Sequence, residues 1–202
     1  VDSEAKIEAD VLGAFKRLGK SISIEDYRLS STWNNLARSY GVSMDDFYAS
    51  FSNRESWADS IKRGSVKLYD DAVPFLDGLS KVGIVPVALT RSNVSCTREK
   101  LPGLGIDKYF GEKVTVEDKL TPAVEFVRAL GGEEVVSNAY FVGNKRSDAL
   151  SYRALKSMPG IKSIGLLVDR SRAFNSGDGS DSNVYLVRSL NDCGEYIRAY
   201  GK

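Results

Sequence analysis

Ala139-Tyr140-Phe141-Val142-Gly143-Asn144-Lys145-Arg146-Ser147-Asp148 is the stretch on which the fold turns: four apolar residues, a glycine turn, then an amide and a carboxylate just ahead of a helix. A short uncharged run of this kind reads as a buried strand of a parallel sheet. In such sheets the carboxyl ends of strands and the helix N-termini after them collect anions and their metals, because open crevices and orphan amides coincide there. The loop 143–148 therefore reads as a metal-holding loop, and the rest of the chain can be placed around it.

On both sides the pattern repeats as helix, glycine, strand. Upstream, Asp70 or Asp71 caps a helix with Pro74 in its first turn and Phe75, Leu76 and Leu79 inward, stopped by Gly83 and followed by the strand Ile84 to Leu89. Pro86 conflicts with the first half of that strand, since proline removes a ladder donor. A helix from Asn93 to Leu101 is stopped by Pro102, a short strand runs from Lys113 to Val116, and Thr121 with Pro122 opens a helix that ends at Gly131. Downstream of the quoted stretch come a helix from Ser147, a strand from Ser163 to Val168, a strand from Val184 to Val187 and a last helix to Tyr200. The loop 175–183 holds two aspartates among Gly, Ser and Asn, but it lacks the ligand count and terminal glutamate of an EF-hand and reads as a turn.

Before residue 68 there is no strand pattern. An amphipathic helix over 3–19 carries Ile7, Val11, Leu12, Phe15 and Leu18 and stops at Gly19. Ser23 with Asp26 opens a second helix bearing Tyr27, Trp33, Leu36 and Tyr40 and ending at Gly41, Ser43 with Asp46 opens a third, and Asn53 caps a fourth from Arg54 to Arg63. The fold class is thus α/β, a mostly parallel sheet with helices on both faces over 68–202, and an all-helical layer or cap over 1–67.

Composition narrows the chemistry. The 202 residues include 28 basic and 27 acidic side chains, a net charge of +1, which gives no footprint for nucleic acid and no polybasic membrane signal. Without histidine there is no Ser-His-Asp or Cys-His nucleophile and no imidazole metal site, so chemistry falls to carboxylates, lysines, hydroxyls or a metal bound by hard oxygens. Cys96 and Cys193 lack C-x-x-C spacing and read as reduced thiols of a cytoplasmic protein.

Three points stand at strand ends: Thr90 with Arg91 and Ser92, Lys119 ahead of Pro122, and Asn144 with Asp148. A hydroxyl, an ammonium and a carboxylate converging on one crevice suit a phosphate with a bound Mg²⁺. Taken singly, Thr90 also fits a helix cap, Lys119 a solvated charge and Asp148 a residue favouring a helix dipole.

Leu89-Thr90-Arg91-Ser92, Lys119-Leu120-Thr121-Pro122 and Val142-Gly143-Asn144 through Asp148 resemble, in order and spacing, the second, third and fourth motifs of the haloacid dehalogenase (HAD) superfamily in its phosphatase branch. Leu68-Tyr69-Asp70-Asp71 and Leu104-Gly105-Ile106-Asp107-Lys108-Tyr109-Phe110 extend the similarity over nearly the whole chain. The resemblance implies a Rossmann-like core with a helical cap and a Mg²⁺-dependent phosphatase that acts on a small phosphorylated metabolite through an aspartyl-phosphate. Thr90, Arg91, Ser92 and Lys119 would bind phosphate, Thr90 and Lys119 would assist catalysis, and Asp148 and Asn144 would hold the metal. Asn144 stands where the family more often has aspartate.

The family's nucleophile lies in an Asp-x-Asp-Gly-Thr segment ending the first core strand, commonly followed by Val-Asp-Ser-Glu. Val1-Asp2-Ser3-Glu4 matches that continuation, so the nucleophile is expected about six residues before Val1, and the first core strand with it. In the chain itself no Asp-x-Asp precedes Gly-Thr, which leaves a second reading, a non-catalytic phosphate-binding or protein-interaction module. Trp33, Arg54 and Trp57 are candidate substrate contacts in the cap, or else parts of its core. A dinucleotide site is not supported, because no G-x-G-x-x-G follows a strand.

Overall fold

The computed structural model describes residues 2–30, 32–52, 54–90, 94–110, 114–116, 120–144, 146–170 and 182–200. Its contacts divide the chain into two compact units, Val1–Tyr69 with Arg98–Gly105, and Asp70–Thr97 with Ile106–Lys202.

The first unit is helical: α1 (Glu4–Arg17), α2 (Ile24–Leu29), α3 (Trp33–Ser39), α4 (Met44–Ser52) and α5 (Trp57–Lys62). Its core gathers Val11, Ala14 and Phe15 of α1, Leu36 and Ala37 of α3 and Phe47 of α4. Phe47 lies 5.5 Å from Phe15 and 5.7 Å from Trp33, ring centre to ring centre, within the range where aromatic pairs add to burial.

The helix expected to run unbroken from Ser23 to Gly41 is two helices. Ser30 turns extended at φ −76° and ψ 127°, and the Thr32 hydroxyl accepts from the Asn35 amide to start α3 afresh. Capping competes with helix continuation wherever a Ser/Thr run offers the backbone a second partner. The helix expected over Arg54 to Arg63 starts instead at Trp57, where Ser56 caps through the Asp59 amide, and α4 continues to Ser52. Asn53, the expected cap, lies outside the described residues. The four glycines expected to end helices, at 19, 41, 83 and 131, all have φ between +65° and +110°, and so does Gly64 just after α5.

The second unit is α/β. Helix α6 (Ala72–Lys81) leads to strand β1 (Ala88–Thr90); α7 (Val94–Gly103) starts in this unit but from Arg98 on is counted with the first, and α8 (Asp107–Phe110) precedes β2 (Val114–Val116). After α9 (Leu120–Ala129) come β3 (Asn138–Gly143), α10 (Arg146–Ala149), a 3₁₀ stretch over Leu150–Ser157, β4 (Lys162–Val168), β5 (Val184–Val187) and α11 (Leu190–Tyr200). The strand expected from Ile84 begins only at Ala88, two residues past Pro86, which cannot donate to a ladder. Pro102 does not stop α7; it sits in the last turn, and the break comes at Gly105, with φ +68°. Lys113 and residues 175–181 of the expected turn lie outside the described residues.

All pairings among the named strands are parallel. β1 pairs with β2, matching Ala88 to Val114 and Thr90 to Val116, and β3, β4 and β5 form a second sheet in that order. Gly143 lies opposite Leu167, and Val168 opposite Val187, so three strands end near one another at their carboxyl edge. Helices cover both faces of this sheet. Val184 packs with Ala149 and Tyr152 on one face, while its neighbour Tyr185 must point to the other, where Tyr196 of α11 meets it at 4.7 Å. β4, paired on both sides, is buried at every position after Lys162, whereas β3 is half-buried at all six of its positions.

Candidate functional site

Asn144 directly follows β3, two residues separate the strand from α10, and Asp148 of that helix lies against the last residue of the strand, Gly143. Asn144 is exposed and Asp148 half-buried. A methyl group placed on Gly143 would lie 2.2 Å from the Asp148 Cβ and 2.8 Å from its Oδ2, so the carboxylate lies directly against the end of the strand. Thr90, half-buried, ends β1 in the two-stranded sheet. Arg91, Ser92 and Lys119 lie outside the described residues.

Next along the same edge is a charged network that the sequence reading did not single out. Asp169, directly after β4, is 1% exposed, and its carboxylate accepts from the Arg188 Nη1 at 3.0 Å at the end of β5. Arg170 donates to both carboxylate oxygens of Asp71 at 2.6 and 2.8 Å. Asp71 also accepts from the Leu190 amide at 2.8 Å, at the first turn of α11. Its own helix α6 receives no bond from this side chain, although Asp71 sits at the N-cap position as one of the two expected caps. Burial pulls the Asp71 carboxyl upward, but the Arg170 guanidinium and the Leu190 amide outweigh it and hold the pKa below the ordinary carboxylate value. The signal that could have found this network is the one used for Asn144: a carboxylate straight after an apolar strand, here Leu166-Leu167-Val168-Asp169.

Mg²⁺ takes oxygen donors, keeps several waters and commonly uses one or two carboxylates beside a phosphate. The Asp148 carboxylate and the Asn144 amide oxygen suit that demand in kind, and the Asp148 carboxylate lies at the end of the strand. Among the described residues no three acidic or cysteine side chains cluster as a complete metal cage.

In the helical unit Trp57 is 6% exposed, with the Lys100 and Lys6 ammonium groups 3.6 and 5.0 Å from its ring centre. Arg54 stacks 4.7 Å from the Phe51 ring, and Trp33 packs on Phe47 and Phe51. These contacts are those of packed structural side chains. The α/β unit also has two hollows, neither lined by Thr90, Asn144 or Asp148. One, of about 240 Å³, is lined by Leu155, Met158, Ile161, Lys162 and Asn183; the other, of about 190 Å³, lies between α6 and α11. No described helix is long and apolar enough to cross a membrane.

No protein-family model and no curated protein matches the sequence. Solved structures do. A haloacid dehalogenase-like protein of unknown function from Agrobacterium tumefaciens superposes with a TM-score of 0.63 at 16% identity, over 100% of this chain and 94% of that one. A candidate phosphatase from Clostridium difficile gives 0.64 at 17% identity, over 95% of this chain and 92% of that one. A HAD family hydrolase from Deinococcus radiodurans, solved with bound phosphate and sodium, gives 0.60 at 16% identity, over 98% and 90%. At these identities the likeness establishes the fold, and function rests on the site itself.

Proposed function

We propose that this chain, whose fold is that of haloacid dehalogenase-like proteins, carries the phosphate- and metal-binding parts of a Mg²⁺-dependent hydrolase of small phosphomonoesters. The observation that carries the reading is the carboxyl end of β3, where Asp148 and Asn144 offer hard oxygens beside a parallel-strand crevice. The phosphate bound in the Deinococcus radiodurans neighbour is consistent with it.

In this reading the Thr90 hydroxyl donates to a phosphoryl oxygen, with Arg91 and Ser92 beside it, and the Lys119 ammonium offsets charge on phosphate and nucleophile. Asp148 and Asn144 would hold Mg²⁺, which would supply charge neutralisation at the phosphoryl group. Asn144 brings no charge, so metal affinity depends chiefly on Asp148 and on the phosphate itself. The helical unit acts as the cap.

The nucleophile is an aspartate on a further strand that pairs with the open edges of β1 and β3. Its carboxylate oxygen bonds to phosphorus as the substrate alcohol leaves, and water then hydrolyses the aspartyl-phosphate. Support for such a strand comes from β1 and β3 themselves: β1 carries the apolar Ala88 and Leu89, β3 the apolar run Ala139 to Val142, and both pair on one side only among the described strands. A cytoplasmic location belongs to the same proposal.

The test is release of inorganic phosphate from a panel of small phosphomonoesters, with and without Mg²⁺, by the 202-residue chain and by a version extended at its N-terminus with an Asp-x-Asp-Gly-Thr strand. The expected result is turnover only by the extended version, lost in Asp148→Ala. Turnover by the unextended chain would place the nucleophile within it, and inactivity of both would overturn the hydrolase reading.

A further inference from the structure

We infer that Gly143 is a positioning residue whose missing side chain is the seat of the Asp148 carboxylate. A glycine is required either by a left-handed backbone or by close approach of another group. Gly143 is absent from the positive-φ glycines, so its backbone makes no such demand. The three atoms nearest to a Cβ built at 143 all belong to Asp148: its Cβ at 2.2 Å, Oδ2 at 2.8 Å and Cγ at 2.9 Å. Real Cβ contacts do not come this close, so any other residue at 143 must push the carboxylate away.

A second glycine completes the seat. Gly165 of β4 lies opposite Phe141, and Gly143 is two residues on from Phe141, so both glycines face the same side of the sheet. A Cβ at 165 would lie 2.2 Å from the carbonyl oxygen of Ala149, the residue after Asp148. Helix α10 thus rests on two bare positions, one under its backbone and one under the Asp148 side chain. The first sets the height of the helix above the sheet. The second fixes the direction of the carboxylate before any cation arrives, which spares the ordering of that side chain on binding.

The role of Asp148 as a metal ligand belongs to the function proposed above; the seat itself is a matter of geometry, and the experiment separates them. Thermal melting of the full chain without metal is compared in two backgrounds. Gly143→Ala should lower Tm by on the order of 5 °C in the native background, as overpacking does in a domain of this size. In an Asp148→Gly background, where the obstructing side chain is gone, the same substitution should shift Tm by no more than about 1 °C. Gly165→Ala serves as the control, with an equal loss in both backgrounds because it meets backbone. An equal loss for Gly143→Ala in both backgrounds overturns the seat. Should Gly143→Ala not fold alone, recovery of folding in the double variant supports the seat, and failure to recover overturns it.

Mn²⁺ binding, followed by the electron paramagnetic resonance signal of the free ion, supplies the readout that a purely structural role would not move. Asp148→Asn and folded Gly143→Ala should each weaken binding by about tenfold or more. Weakening by Asp148→Asn with none by Gly143→Ala overturns the positioning role. No weakening by Asp148→Asn overturns the metal reading instead, while the melting comparison still decides the seat.

Discussion

Asp71 shows how one carboxylate can join segments far apart in sequence: it stands at the start of α6, binds Arg170 after β4 and caps α11 through the Leu190 amide. Its folded-state pKa lies below the ordinary value, so it contributes stability that is present above the unfolded-state pKa and lost as pH falls through the folded one. Asp71→Asn should therefore cost about 2 kcal/mol at neutral pH, a Tm fall of roughly 4–8 °C, and the gap to the native protein should narrow below about pH 4. Melting curves from pH 7 to pH 3 check this; a gap that stays constant with pH would mean that charge plays no part. Cys193 makes a second residue-scale case. It is 0% exposed, and burial, helped by Asp192 and Asp71, pushes its thiol up to about 12. Iodoacetamide at pH 8 should leave it unmodified in the folded protein and label it after denaturation, as read by peptide mass.

Helices depend on their first turns, and Thr32 governs whether residues 24–39 form one helix or two. Thr32→Ala removes the bond to the Asn35 amide and should cost about 1 kcal/mol, a Tm fall of roughly 2–4 °C, measured by circular dichroism. This element also shows what the sequence discloses and what it hides. The glycine stops and the Ser23–Asp26 box were legible because each is a local matter of backbone and neighbouring side chain. The break at Ser30 was not, because Tyr27, Trp33 and Tyr40 have helical spacing and the competing cap at Thr32 sits inside a polar run. At the site, the strand end and the carboxylate after the glycine turn could be read from 139–148, since apolar runs and turns are sequence-local. The link from Asp71 to Arg170 and Leu190 was hidden, since it depends on which strand lies beside which, and sequence order does not state that. The shortness of β1 was half legible, for Pro86 signalled the conflict but not its extent.

At the scale of the whole chain, the α/β unit has its described strands in two sheets, β1 with β2 and β3 with β4 and β5. Amide hydrogen exchange should reflect this. The amides of β4 from Gly165 to Leu167, flanked on both sides, should exchange slowest, and in β3 only the amides facing β4 should approach them. An added strand that pairs with β3 should slow the remaining β3 amides by about tenfold or more without altering β4, and β3 amides that are all slow beforehand would show the edge to be occupied already. The open edge has a further consequence for handling the protein. Ala139-Tyr140-Phe141-Val142 has no charge, no proline and strong β propensity, and β3, paired on one side only among the described strands, carries none of the lysines by which edge strands usually protect themselves. Concentrated solutions should therefore gather into β-rich assemblies seeded at this edge, and a lysine in place of Tyr140 should keep the chain dispersed.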